Sequence, residues 1–471
     1  MFAGKRKDMY PIRILLEEKL ALFRKIFRLW LSLYLIITTL KSLASTYLPS
    51  SLGYVRPGST IKFDYDTQIR VDRGCDSMRT NTKRIMVLST EQWFEMLHGA
   101  SILSLFKALA KLNYRVKVLL PSVSNKIMEN GSLLVIGLKV KRYVRFFTLI
   151  SLYKQYLRFI LEERPCVLMF DFPMLPLFLF TKFLWRSKGI MLVLSRPVGE
   201  QSFLKWLHFR LSLIIGRLFV NVFTAISPFE AAEFSRLGKI PRHKVIVVPS
   251  PLGEEFERFN FSRNINELRS KLGLDMLLGK KVLLYHGALD ERRGILQLLE
   301  LFNKSFKGDD KVVLLLVGDG PAKDSIRSFI QRNKINNILL LDPVPYSKIP
   351  ELISACDVGL VLLPDHPWWR YQCPTKLIEF LALGKPVIAS DLPGIRWVAG
   401  NYPLTLYLKV WNEQEFHKTV TWSLSLINET SYTLDYKELY YRVISRFGSR
   451  SIALKLKDLI EHDMGTGAIL Q

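Results

Sequence analysis

The stretch Pro374–Gly394, PTKLIEFLALGKPVIASDLPG, decides the fold. A proline suits a helix start because its missing N–H is one that the first turn leaves unpaired anyway. Leu377, Ile378, Leu381 and Ala382 then recur at helical spacing, Gly384-Lys385-Pro386 stops the helix, and VIAS follows as a short buried strand. A helix running straight into a buried strand is half of an α/β unit. Its start, Pro374-Thr375-Lys376-Leu377, points unpaired amides outward, and amides plus the macrodipole attract an anion such as a diphosphate. Lys376 adds a full charge, and Glu379 a pair of acceptors for hydroxyl groups. An ordinary amphipathic helix shares this pattern, so its neighbours must decide.

Three upstream segments carry related patterns. LLYHGALDERRGILQLLELF (283–302) reads as a strand, a glycine loop at Gly287 and a helix entered through Arg292-Arg293-Gly294. VVLLLVGDGP (312–321) reads as a second strand with a turn at Gly318 and Gly320, and LLLDPVPYSKIPELISACDVGLVLLPD (339–365) as strand, short helix and strand. In order and spacing, residues 81 to 465 resemble the retaining glycosyltransferases of the GT4 type (glycosyl transferases group 1). The resemblance implies two Rossmann-like domains facing a cleft, the GT-B arrangement, with the nucleotide sugar held by the second. It assigns donor contacts to Gly287, Arg292, Arg293, Gly318, Gly320, Val344, Pro374, Thr375, Lys376, Leu377 and Glu379. Val344 is where a base-stacking or backbone contact is expected.

The chain also departs from that family. Many members carry a second Glu eight residues before Glu379, where this chain has Tyr371, and the Arg usual after the first loop's glycine is Ala288. Arg293, helped by Arg292, is then the diphosphate cation of that loop, and its planar fork suits phosphate oxygens. With the mechanism implied by the resemblance, the leaving diphosphate helps to deprotonate the acceptor while cations and amides stabilise its charge. Arg293 and Lys376 therefore rank as catalytic alongside Asp171, the best carboxylate at a strand end. No cofactor is expected beyond a UDP- or GDP-linked donor. A metal is not expected, since no Asp-x-Asp or His cluster stands where a diphosphate-bound ion would need oxygen ligands.

Charge separates the two halves. Of the net +25, residues 1–250 hold about +23, so any anionic partner belongs to the first half. Three of its stretches, 20–43, 139–160 and 203–223, interleave Lys and Arg with Trp, Phe, Tyr and Leu. That mixture suits an anionic membrane surface, whereas nucleic acid would not need so much Leu and Ile. Between Arg28 and Lys41 lie only twelve uncharged residues, roughly 18 Å of helix against a hydrocarbon core of ~30 Å, which favours an interfacial anchor over a span. Cys75, Cys166, Cys356 and Cys373 are scattered without metal spacing, and Cys166 and Cys356 lie in or beside buried strands, so free core thiols are expected.

Within the first half, KRIMVLST (83–90) is the first clear strand, and the short connections after it favour a parallel sheet. His98 and Gly99 occupy the family's cleft loop. Asp171 follows the strand in RPCVLMFDFP, Arg196 follows that in GIMLVLSRP where many members have His, and Ser227 fits the family's recurring serine. The expected organisation is an extension (1–80), an acceptor and membrane domain (81–250), a nucleotide-sugar domain (251–446) and a helix returning to the first domain (447–471).

Together these expectations describe a hexosyltransferase at the cytoplasmic face of a membrane, acting on a polyisoprenyl- or other lipid-linked, or glycan, acceptor. Two alternatives remain at this point: a GT-B scaffold that has lost its chemistry, and a GT-B enzyme that modifies nucleic acid.

Overall fold

The computed structural model describes residues 83–94, 99–140, 145–193, 203–257, 264–409, 411–430 and 435–461. The stretch 20–43, His98 and Arg196 lie outside them.

Two sheets organise the chain. The first contains β1 (Arg84–Leu88), β2 (Arg115–Ser122), β3 (Lys126–Asn130), β4 (Leu133–Lys139), β5 (Val167–Phe170), β6 (Lys188–Met191), β7 (Val222–Ala225) and β8 (Val245–Val247). Their order is β3-β4-β2-β1-β5-β6-β7-β8. All pairs are parallel except β3 with β4, an edge hairpin that follows the predicted parallel unit. Both faces of a parallel sheet are covered, so its strands read as continuous apolar runs. VLMF of β5 and VFTA of β7 are buried at every position. The crossing helices are α1 (Gly99–Lys111), α2 (Arg145–Glu163), α3 (Leu175–Trp185), α4 (Phe203–Phe219) and α5 (Pro228–Gly238). The basic stretch 203–223 is thus divided: the helix ends at Phe219, and Val222 and Phe223 are buried in β7. Cys166 departs from expectation, since it precedes β5 and is exposed, whereas Cys356 and Cys373 are buried.

The second sheet contains β9 (Lys281–Ala288), β10 (Val312–Asp319), β11 (Ile338–Leu341), β12 (Val358–Val361), β13 (Val387–Ser390) and β14 (Thr405–Leu408), in the order β11-β10-β9-β12-β13-β14. It carries α6 (Ile295–Phe306), α7 (Lys323–Asn333), α8 (Thr375–Ala382) and α9 (Glu413–Thr430). Leu283, Leu314 and Leu360 pack on one face with Phe302 and Phe416, while Leu284, Leu315 and Val361 pack on the other with Ile378 and Leu381. This is the GT-B arrangement of two Rossmann-like domains.

The chain crosses between the sheets twice. At the first crossing Leu252 N–H donates to the Phe447 carbonyl at 2.8 Å, and that residue ends α10 (Tyr436–Phe447). The second crossing leads into α11 (Ser449–Glu461), whose Ile452, Leu456 and Leu459 join Ile102, Phe106 and Leu109 of α1 in the first domain's core. Tyr114 Oη donates to Glu461 at 2.7 Å near its end. α11 thus packs on the first domain, where it covers an apolar face of α1.

In sheets wound both ways from the middle, ligands bind outside the carboxyl ends of strands where the winding reverses. Here the reversals fall between β9 and β12 in the second sheet and between β1 and β5 in the first.

Candidate active site

A cavity of about 240 Å³ opens at the β9/β12 reversal. His286, Gly287 and Ala288 from the end of β9, Val361–Leu363 from the end of β12 and just beyond it, and Pro374, Thr375, Lys376 and Glu379 from the cap and first turns of α8 line it. Arg293, Gly318, Val344 and Tyr346 add to the second domain's share, while Ser101 and Ile102 of α1, with Ile226, Ser250 and Pro251, face it from the other side.

The start of α8 is built as its sequence implies. Pro374 is the N-cap, in extended backbone, and the Leu377 N–H donates to its carbonyl at 3.1 Å. Thr375 and Lys376 lead the helix, and Glu379, four residues after Thr375, falls on the same face. Leu377 points elsewhere: its side chain is fully buried in the core, so no more than its backbone serves the site.

Lys376 is the unusual group. Its Nζ is shielded from solvent, has no hydrogen-bond partner, and lies 3.6 Å from the centre of the Tyr285 ring. Burial, with the nearby Arg293 charge, pushes its pKa well below the ordinary lysine value. Glu379 compensates only in part. It is 3% exposed, and its Oε1 accepts from the Tyr346 hydroxyl at 2.9 Å. Burial raises its pKa to about 7 despite that bond and despite Lys376. His286 Nε2 stands 3.4 Å from Glu379 Oε2 without forming a hydrogen bond. Burial, then the Lys376 charge, lowers the imidazole to about 3, so it is neutral at physiological pH. The cavity floor therefore holds a buried amine that no hydrogen-bond acceptor meets and whose charge Glu379 offsets only in part.

The two arginines separate. Arg293 lines the cavity, with its guanidinium carbon 4.8 Å from the Trp369 ring centre. Arg292 does not: Asp290 accepts from its Nε at 3.0 Å and from Nη2 at 2.5 Å, and Trp368 flanks it at 5.6 Å. Asp290 caps the short turn Glu291–Arg293, and its carboxyl is held below the usual range by this bond to Arg292.

The glycines make close approaches possible. Gly287 has φ +107°, in the region that favours glycine, and lets β9 end beneath the Lys376 chain. A Cβ on Gly318 would stand 1.9 Å from the Gly287 carbonyl oxygen, so the ends of β9 and β10 meet only without side chains. Gly320 abuts the Leu289 carbonyl and does not line the cavity. Gly99 starts α1 hard against the Trp93 carbonyl, a packing constraint rather than a cavity contact.

Asp171 sits apart, at the β1/β5 reversal of the first sheet. Its Oδ2 accepts from the Thr90 N–H at 2.5 Å and from the Thr90 hydroxyl, and its Oδ1 is shielded without a partner. Burial raises its carboxyl to about 7. It does not line the cavity that brings Lys376, Arg293 and Glu379 together.

Tyr371 ties the domains together. Its ring stacks on Phe229 at 5.3 Å, and its carbonyl accepts from Ser227 Oγ at 2.7 Å. Two residues later the Cys373 carbonyl accepts from Ser250 Oγ at 2.9 Å. Ser227 also caps α5, so the recurring serine serves a helix end and the loop that enters α8. Tyr346 and His286 were not anticipated from sequence. Their only signal was position, just past the end of β11 and one residue before Gly287.

Comparison with known proteins accords with this geometry. Residues 265–431 match the family model of the glycosyl transferases group 1. That part of the chain belongs to the family. TuaC of Bacillus subtilis, assigned to teichuronic acid biosynthesis as a glycosyltransferase, is 31% identical over 172 residues, 36% of this chain and 40% of that protein. Alpha-monoglucosyldiacylglycerol synthase of Streptococcus pneumoniae is 30% identical over 148 residues, 30% of this chain and 32% of the synthase. The matched part of this chain thus spans less than half the length of these curated relatives. Among solved structures, Anabaena HepE in complex with UDP-glucose superposes with a TM-score of 0.61 at 16% identity, covering 80% of this chain and 98% of HepE. That likeness establishes the fold.

Proposed function

We propose that the protein transfers a hexose from a UDP- or GDP-linked donor to a lipid-linked or glycan acceptor, with retention, at the cytoplasmic face of a membrane. The observation that carries this reading is Lys376 Nζ, buried and without a partner in a cavity also lined by Arg293 and by the start of α8. The donor diphosphate lies against these cations and amides. Glu379, aligned by Tyr346, accepts from donor hydroxyls. The acceptor hydroxyl oxygen bonds to the anomeric carbon as the bond from that carbon to the diphosphate oxygen breaks, and the acceptor's proton passes to the departing diphosphate. Lys376 and Arg293 stabilise the charge that develops there. Asp171 orients the acceptor from the first domain.

The charge of the diphosphate is met by these side chains, so the reading uses no metal. Among the described residues no three His, Cys, Asp or Glu side chains gather as they would around an ion. The teichuronic acid biosynthesis of TuaC and the glycolipid product of the diacylglycerol synthase support a glycan or lipid acceptor, and the UDP-glucose of HepE supports the donor class. Membrane contact is supported by the charge of the first half and by α2, where Ile150, Lys154, Arg158 and Leu161 form one exposed stripe.

Calorimetric titration of UDP- and GDP-sugars, with donor hydrolysis as a second readout, tests the reading. One of them should bind the wild type and lose at least tenfold in affinity with Glu379→Ala. No binding by any donor, or a Glu379→Ala variant indistinguishable from wild type, overturns it.

A further inference from the structure

We infer that Trp369 is a positioning residue that holds Arg293 in the diphosphate site, an inference that rests on the donor-binding role of that cavity. The two arginines are adjacent in one short turn, yet Arg293 lines the cavity and Arg292 does not. Asp290, which caps the turn, holds Arg292, but Arg293 needs support of its own, because an arginine side chain has many rotamers of similar energy. The neighbouring segment supplies it. Trp369 is 8% exposed, and its Nε1–H donates to the Arg292 carbonyl at 2.9 Å while its ring lies 4.8 Å from the Arg293 guanidinium. One side chain thus fixes the backbone of the turn and the direction of its second cation. Trp368 and Asp290 take the first cation away from the cavity.

The tryptophan is itself held. Asp365 accepts from Arg370 Nε at 2.8 Å and Nη2 at 2.7 Å, closing the short helix Pro367–Arg370, and the Trp369 N–H donates to the His366 carbonyl at 2.9 Å. This segment leads directly into Tyr371, which follows its last residue, Arg370. Its work here is to aim a cation, since a guanidinium over an indole face keeps its N–H groups free at the edge for phosphate oxygens.

A double-mutant cycle on the full chain, read by titration with UDP and with GDP, tests the assignment. Trp369→Leu should weaken binding of the preferred diphosphate about tenfold, near the upper range of a desolvated cation–π contact. It should add less than about twofold in an Arg293→Ala background, where there is no guanidinium left to aim. Trp369→Phe, which keeps a ring but loses the Nε1 bond, should recover most of the affinity. A Trp369→Leu variant that binds as wild type, or one that loses the same factor with and without Arg293, overturns the inference while the donor reading stands. If Trp369→Leu does not fold, Trp369→Phe decides alone: a loss as large as that of Arg293→Ala refutes the role of the ring. Wild-type protein that binds neither diphosphate removes the donor reading, and this inference with it.

Discussion

Replacing Lys376 by Met should make the empty protein more stable and nearly abolish its response to a nucleoside diphosphate. The methionine fills the same space over the Tyr285 ring without a buried charge, and Nζ has no hydrogen bond to lose. Trading a functional group for a packed one typically gains about 1–2 kcal/mol, or about 2–8 °C in melting temperature for a domain of this size. A charge-assisted contact to phosphate is worth about 1.5–3 kcal/mol, so affinity should fall roughly 10- to 150-fold. At a ligand concentration of 100 Kd, the wild type gains about 2.7 kcal/mol from binding. With affinity a hundredfold weaker, the same concentration yields only about 0.4 kcal/mol. Differential scanning fluorimetry with and without UDP or GDP reads both effects. The pH dependence carries a sign as well. The folded state holds Lys376 below its unfolded value of 10.5, so the unfolded chain binds more protons between the two values. Wild-type stability therefore rises relative to the variant as pH climbs towards 10.5, and the difference between them closes. A variant that melts lower than wild type, or that keeps the full ligand shift, refutes the reasoning.

Glu379→Gln tests the partner carboxyl. Its pKa rises from 4.5 to about 7 on folding, so wild-type stability, relative to the variant, should fall as pH rises from about 4.5 to about 7. Parallel urea midpoints across that range would contradict this. Asp171→Asn can still accept from Thr90, so the fold should persist and donor hydrolysis should be unchanged, while transfer to acceptor falls roughly 100-fold. Equal loss of both rates would place Asp171 outside the acceptor role. Combined Ile150→Ser, Leu161→Ser and Leu218→Ser changes remove exposed apolar groups, each worth up to ~1.5–3 kcal/mol if fully buried in lipid. Flotation with anionic vesicles should then drop at least tenfold, and unaltered flotation would refute a membrane role for these helices.

Much of the second domain was legible in its sequence because each motif there is local. Gly287 and Gly318 mark strand ends where backbones meet, and Pro374 with the apolar spacing after it marks the start of α8. Apolar runs of four to eight residues bounded by glycine or proline leave little choice but buried parallel strands. Other features depended on groups far apart in the chain. The burial that raises Glu379 and depresses Lys376 comes from packing against β9 and Tyr346, and Asp171 meets Thr90 across 81 residues. Arg292 meets Trp368 and Arg293 meets Trp369 across some 76 positions. Residue types and spacing determined which elements form and where an anion site could lie. Only tertiary structure decided which cation faces it and which carboxyl is buried, because desolvation and aromatic contact arise between segments that sequence order does not place together.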